Sequence, residues 1–370
     1  MATESYYSES EFQGFSTSTK KLLTIIGNLL YEFSITCSYI ESIFAAMGVF
    51  VNLFHLIVLT RPEMRTSSTF VILAGIAVCD FFNMGSIVYD SVFVVLQKNV
   101  WFVAISNWNL YNYNYQLFRT WKMALFDVLR RENSYLGILM ALVRYSVIKY
   151  SMDAKFEYIP KPIFGIVVFM ATFFCSSLVT GFYFSHVYLE MSEWSPPEQC
   201  PGYPDNYTEM YYMPMVTLEF SSSMWFGFQS FMFVDGLIKI LPTILLPILT
   251  LLLIAEIRAA KRIRMKISSN VEKSQSEHTT KLVTVMTVAS MIAEGPMGLA
   301  YVLQGSAGKS MGIIFRNISA DLISCLALFI AINSLTHCFI SLIISTQYRK
   351  TAKNLMYCCG LKKNRKKLTV

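Results

Sequence analysis

An all-α integral membrane protein, a bundle of seven transmembrane helices with a short interfacial helix after the last, is the fold class this sequence predicts. Three observations predict it. Seven stretches, at 35–60, 68–96, 120–149, 162–187, 231–257, 281–304 and 317–344, each exceed the roughly 20 residues a helix needs to cross a bilayer. The 370 residues are 54% hydrophobic and 15% charged, against about 25% charged in soluble domains, so polar surface to cover a globule is lacking. The basic residues gather in alternate connections, as the positive-inside rule requires.

Residues 1–34 read as an N-terminal segment on the outer side. They have no basic, then apolar, then small-residue pattern, so no cleavable signal peptide is expected. Span three is the most interrupted, because Asp127, Arg130, Arg131 and Glu132 fall in its first half. Its second half, "LGILMALVRYSVIKYSM", is apolar up to Arg144. Pro242, Pro247 and Pro296 lie inside spans five and six, where neighbouring helices can compensate the lost hydrogen bonds and a kink is expected. Residues 345–370 form an interfacial helix and basic tail, with Tyr348, Leu355 and Met356 expected toward lipid and Arg349, Lys350 and Lys353 toward phosphate.

Segments 61–67, 149–161 and 258–280 and the tail are rich in Lys and Arg, with eight between Arg349 and Lys367 and no acid. Between Tyr188 and Ser230 there are six acids and no Lys or Arg, and the sequon at Asn206 falls there. The acidic segment is therefore expected outside as a glycoprotein loop, with the N-terminus outside and the C-terminus cytoplasmic. A second sequon at Asn317 lies close to the membrane. The net charge of +7 sits between and after apolar spans and not on a folded patch, which favours anionic lipid over nucleic acid.

The eight cysteines have no paired metal-ligand spacing, and Cys358 and Cys359, beside basic residues, are candidate palmitoylation sites. The four histidines are dispersed, and neither a phosphate-cradling Gly-rich loop nor a GxSxG elbow occurs, so no enzyme, metal or cofactor is expected. Span seven has no lysine for a retinal Schiff base.

Ionisable groups in hydrocarbon are costly and mark function. Arg144 ends span three; it either snorkels to lipid phosphate or is held by neighbouring helices and released to a partner. Asn52, Asp80 and Asn333 lie mid-span, with Asn52 and Asn333 the expected partners of Asp80 and a bound sodium ion or waters able to share the site. Toward the outside, Asp127 with Arg131 and Asp235 with Lys239 are spaced i, i+4, so each pair either neutralises itself or meets a ligand. Glu294 has no local partner and stands two residues before Pro296.

These residues together resemble the rhodopsin-like G-protein-coupled receptors, and more closely the nematode serpentine receptor class W chemoreceptors, related to FMRFamide-type peptide receptors. The resemblance covers about residues 35–360 and rests on "NLFHLIVLTRPEMRTSSTFVILAGIAVCDFF", "RRENSYLGILMALVRYSVIKYSM", "KILPTILLPILTLLLIAEIR", "AEGPMG" and "NSLTHCFISLIISTQYRK". It implies that Asn52, Asp80, Asn333 and His337 form a polar switch. It implies ligand contact by Asp127, Arg131, Asp235, Lys239, Glu294, Tyr301 and Asp321, and G-protein coupling by Arg144, Tyr145, Lys149, Arg258 and Lys281.

The chain also departs from the general pattern of such receptors. Val143 precedes Arg144 in place of an acid, Ser334 and His337 replace the proline and tyrosine of NPxxY, and Glu294 replaces a tryptophan. The biogenic-amine pattern is not met, since Phe126 takes its usual aspartate position and Asp127 is one step around the helix. The outer disulfide usual in the family has no span-three cysteine here, since none occurs between Cys79 and Cys175. Cys200 is thus free, or paired elsewhere, or the copy has decayed. The implied function is a plasma-membrane chemosensory or neuropeptide receptor coupling an extracellular peptide or small molecule to a heterotrimeric G protein. A transporter or channel, or a non-signalling receptor copy, is the alternative.

Overall fold

The computed structural model describes residues 6–12, 14–98, 113–150, 153–195, 206–222, 227–267, 275–307 and 312–365. Seven long helices are present: α1 (Thr17–Leu59), α2 (Ser68–Lys98), α3 (Tyr113–Lys149), α4 (Pro162–Phe184), α5 (Phe228–Ile267), α6 (Gln275–Ala307) and α7 (Gly312–Ile344). An eighth, α8 (Thr346–Arg365), follows directly. Six of the seven carry an apolar stretch sufficient to cross a membrane; α3 is the exception, although its 37 residues reach about 55 Å. Its charges explain the exception, and their pairing, described below, explains how it sits among the others.

Several helices outrun their apolar spans. α1 starts at Thr17, not near 35, where the Ser16 hydroxyl accepts the Thr19 N–H at 3.3 Å and caps it. α5 continues through the basic residues to Ile267, so this part of the expected inner loop is helical. Pro242, Pro247 and Pro296 all lie inside continuous helices. Between α4 and α5 the chain forms an antiparallel hairpin, β1 (Val187–Trp194) with β2 (Glu209–Val216), pairing Val187 with Val216 and Trp194 with Glu209. An all-helical reading of the sequence did not anticipate it. The Val, Tyr and Trp residues of 187–194 and 209–216 are its local signal.

The bundle is inverted relative to a soluble core. Phe50, Phe174, Leu251 and Ile343 are exposed, while Asn52, Asp80, Arg131, Glu132 and Asn333 are buried. Lipid solvates the former and only protein can satisfy the latter. An apolar cluster including Leu59, Met64, Leu73, Leu136, Met140 and Leu246 fills the half of the bundle nearest α8. α8 docks there through Tyr348, which is fully buried with its hydroxyl 2.7 Å from His55 Nδ1. Tyr348 therefore faces α1, not lipid as its helical position suggested; Met356 is exposed.

The N-terminal segment is not free either. Tyr7 is buried, exchanges hydrogen bonds with Asn28 at 2.8 and 3.0 Å, and donates its hydroxyl to Asp321 Oδ2 at 2.8 Å. Burial, and then that hydrogen bond, pushes the Tyr7 phenol above its ordinary value, so it stays a donor.

α5 and α6 approach closely at glycines. A Cβ at Gly298 would lie 2.7 Å from Ile240 Cγ1 and 3.0 Å from the Ile240 nitrogen, and one at Gly236 2.7 Å from the Val302 nitrogen. Gly85 has nothing within 4 Å. Gly298→Leu should therefore lower the melting temperature in detergent and the surface yield, because backbone must move. Gly85→Ala should leave both unchanged, measured side by side.

Candidate functional site

The buried charges cluster around α3. Arg131, with a side chain 2% exposed, donates from Nη2 to Asp127 Oδ2 at 2.8 Å and to Asp235 Oδ1 at 2.7 Å. Its Nη1 reaches Thr180 Oγ1 at 2.8 Å and the Ser176 carbonyl at 3.2 Å. Thr180 donates on to Asp127 Oδ2 at 2.8 Å. Lys239 donates to Asp235 Oδ2 at 2.5 Å, lies 3.6 Å from Asp127 Oδ1, and sits 3.9 Å above the Tyr301 ring. The two i, i+4 pairs are thus cross-linked into one network of two acids and two bases spanning α3, α4, α5 and α6. Planar guanidinium geometry permits this forked contact.

Two expected ligand residues lie outside that network. Asp321 is engaged by Tyr7 near the start of α7. Glu294 has no partner on its own helix, as expected, and lines a small cavity with Ser134 of α3, a neighbour out of reach of local sequence reasoning. Its Oε2 is buried without a partner. Sequence reasoning did not select Arg130, whose Cζ lies 5.9 Å from the Tyr301 ring centre and whose Nη2 is buried without a partner. It also passed over Glu132, which is fully buried and accepts from Thr172 at 2.6 Å. The charged run itself was the available signal.

Nearer α8 lies the polar core. Asp80 accepts from Asn133 Nδ2 at 2.9 Å through Oδ1 and meets His337 Nδ1 at 2.8 Å through Oδ2. The expected partners of Asp80 are therefore replaced. Asn52 bonds Ser334 at 2.8 Å and Asn333 bonds Ser290 at 3.4 Å. Each Asp80 carboxylate oxygen has one of these partners and keeps a further lone pair. Asn133, Ser290, Glu294 and His337 line a cavity with about 10 Å³ of room for a water-sized sphere, about one water. Asn133 Oδ1 and Glu294 Oε2 are buried acceptors lacking partners, a pair that one water can satisfy.

At the end of α3 nearest α8, Arg144 is partly buried with Nε lacking a partner. Lys149 donates to Tyr145 Oη at 2.6 Å on the exposed side. Arg258 is exposed on α5, and its carbonyl accepts from Arg262 Nε at 3.4 Å. Lys281 lies on α6, its side chain outside the described residues. Asn206 is exposed beside the hairpin with φ 62°, a left-handed conformation asparagine tolerates. Cys358 and Cys359 lie on α8 with side chains outside the described residues, as is Cys200 altogether.

A family model described as "Serpentine type 7TM GPCR chemoreceptor Srw" matches residues 39–359. No curated protein matches the chain.

Removing Arg131 leaves buried Asp235 and half-buried Asp127 with Lys239 between them in place of two cations. Arg131→Ala should cost roughly 3–5 kcal/mol and abolish surface expression, since a broken buried pair strands its partners. Adding Asp127→Asn and Asp235→Asn should recover part of the yield, read by surface labelling.

Proposed function

The chain belongs to the Srw family of serpentine seven-helix chemoreceptors, and on that premise we propose that it carries an extracellular chemosensory or neuropeptide signal, with a peptide favoured, to a heterotrimeric G protein at the plasma membrane. In this reading the hairpin and N-terminal segment face outward and α8 lies on the cytoplasmic face. The acids of the 188–230 segment and the basic end of α5 support that orientation.

The observation that carries the reading is that the two partly buried arginines of α3 outside the four-charge network each keep an unsatisfied nitrogen. Arg130 Nη2 and Arg144 Nε are both buried without partners. Fourteen residues apart, they lie about 21 Å from one another along the helix. An orphaned donor favours any state that supplies an acceptor. A ligand entering from the hairpin end supplies one to Arg130, beside Tyr301 and Glu294. The four charges are paired with one another, although Arg131 Nε is buried without a partner, so Asp127, Lys239 and Tyr301 act as walls of that cavity while Arg131 and Asp235 hold it together.

Glu294 stands two residues from Pro296, so ligand contact there is coupled to α6. Tilting α6 opens the α8 end, a population shift drawn by differential ligand affinity. Arg144, with Tyr145, Lys149, Arg258 and Lys281 around it, then meets acceptors on the G protein. The Asp80–His337 pair and the Asn333–Ser290 bond join α7 to α2 and α6, and form the switch that this motion rearranges. Acylation of Cys358 and Cys359 holds α8 at the lipid surface.

Arg144→Ala should abolish G-protein activation at unchanged surface expression. Arg130→Gln should raise the half-maximal ligand concentration by about tenfold or more, equivalent to ~1.4 kcal/mol. An amidated-peptide panel assayed by G-protein activation tests both. Converting the six acids of 188–230 to amides should lower potency for cationic peptides and flatten its salt dependence. Unchanged potency and salt dependence would remove the peptide preference.

A further inference from the structure

We propose that the end of the α1–α7 seam nearest the hairpin is a binding site for a tyrosine-bearing peptide segment, and that the chain's own N-terminal segment occupies it here as a tethered ligand. The site is built from residues other than those of the Arg130 cavity. It goes beyond the signalling role proposed above and rests on that reading only for the side of the membrane it faces.

The segment is gripped through its backbone first. Tyr7 donates its N–H to Asn28 Oδ1 at 2.8 Å, and its carbonyl accepts from Asn28 Nδ2 at 3.0 Å. One side-chain amide thus engages both backbone polar groups of a single residue, a contact that any peptide in the same pose can make. The ring supplies the selection. Tyr7 is 1% exposed, and its hydroxyl donates to Asp321 Oδ2 at 2.8 Å on α7. The ring lies against Gly27, where a Cβ would come within 3.0 Å of Tyr7 Cδ2 and 3.2 Å of Cγ. Backbone grip and ring slot stand on α1 and the carboxylate on α7, so the bundle holds the whole site without the segment.

The occupant is held lightly elsewhere. Tyr6 stacks on Tyr31 of α1 with ring centres 4.1 Å apart and planes within 4°, yet is more than half exposed. Phe12 is the second buried anchor, while Ser8, Glu9, Ser10 and Glu11 between the anchors are exposed. Ser8 donates its N–H to Glu11 Oε2 at 3.4 Å, a contact within the segment. Gly14 then takes φ 87°, and a Cβ there would meet nothing within 4 Å. The chain therefore turns toward α1 in open space. A segment with two buried side chains and otherwise solvated groups opens at low cost, and its departure unwinds no long helix.

Asp321 defines the chemistry of the ligand. Its carboxylate accepts a phenol O–H and repels a second anion, so tyrosine fits and phosphotyrosine does not. Tethering sets a bound on affinity. A short tether supplies an effective concentration in the millimolar range, so occupancy in cis requires the free segment to bind with Kd below about 1 mM.

The test uses the full-length receptor in detergent, where both faces are open, and a fluorescent peptide of residues 6–12, YYSESEF, followed by anisotropy. Tyr7→Ala removes the anchor in cis. The peptide should bind this variant saturably below about 1 mM, and the native sequence at least about tenfold more weakly, because the tethered segment competes. A peptide with phosphotyrosine at position 7 should not bind, and Asn28→Ala added to Tyr7→Ala should abolish binding. Equal binding to the native sequence, no saturable binding to Tyr7→Ala, or binding undiminished by Asn28→Ala would overturn the site. A protease site inserted between Phe12 and Thr17 gives a measure that leaves every anchor intact. After cleavage and washing, uptake of labelled peptide should rise, and uptake unchanged from the uncut receptor would overturn the proposal whatever the variants do. Binding in detergent needs neither an orientation nor a G protein, so its failure is separable from failure of the signalling role.

Discussion

Charge removed from water has to be matched inside the protein, and Arg131 is where this molecule meets that demand. One guanidinium binds Asp127 of its own helix, Asp235 of α5, and a hydroxyl and carbonyl of α4. Without those contacts α3 carries charges that hydrocarbon excludes, and a helix that cannot enter the membrane cannot serve as the axis of the bundle. Lys239 completes the neutralisation from a second turn of α5. Membership of a seven-helix family is thus realised through a helix that composition alone leaves out.

The same constraint orders the rest of α3. One turn of it supplies Glu132 to Thr172 of α4, Asn133 to Asp80 of α2, and Ser134 to the small cavity that Glu294 of α6 also lines. Successive residues point around the helix in different directions, so a polar run becomes a hub touching three neighbours. Most of these polar groups find partners. Arg130 and Arg144 keep a buried nitrogen without one, on either side of the hub, and so do single atoms of Arg131, Glu132 and Asn133 within it.

Both ends of the α1–α7 seam are closed by a tyrosine. Tyr7 reaches Asp321 near the hairpin end, and Tyr348 reaches His55 and, at 3.6 Å, Cys338 at the other. Each joins a segment outside the long helices to two of them. The N-terminal segment and α8 are therefore parts of the packed structure as well as extensions of it. Asn52 and Ser334 join the same two helices between those ends.

The sequence by itself determined the class of the molecule and the positions of its helices, because a 20-residue apolar requirement is a property of each segment alone. It also identified most of the polar residues of interest, since any ionisable group in such a segment stands out. The i, i+4 pairs on α3 and α5 were legible for the same reason: helical spacing is local. Partnership was not. Asp80 meets His337, not Asn52 or Asn333; Glu294 shares a cavity with Ser134; Asp321 meets Tyr7 and leaves the outer cluster; Tyr348 turns inward. Each is a contact across helices far apart in the chain, decided by the rotation and depth of one helix against another. Only the tertiary structure sets those, because packing chooses among faces that the sequence offers equally.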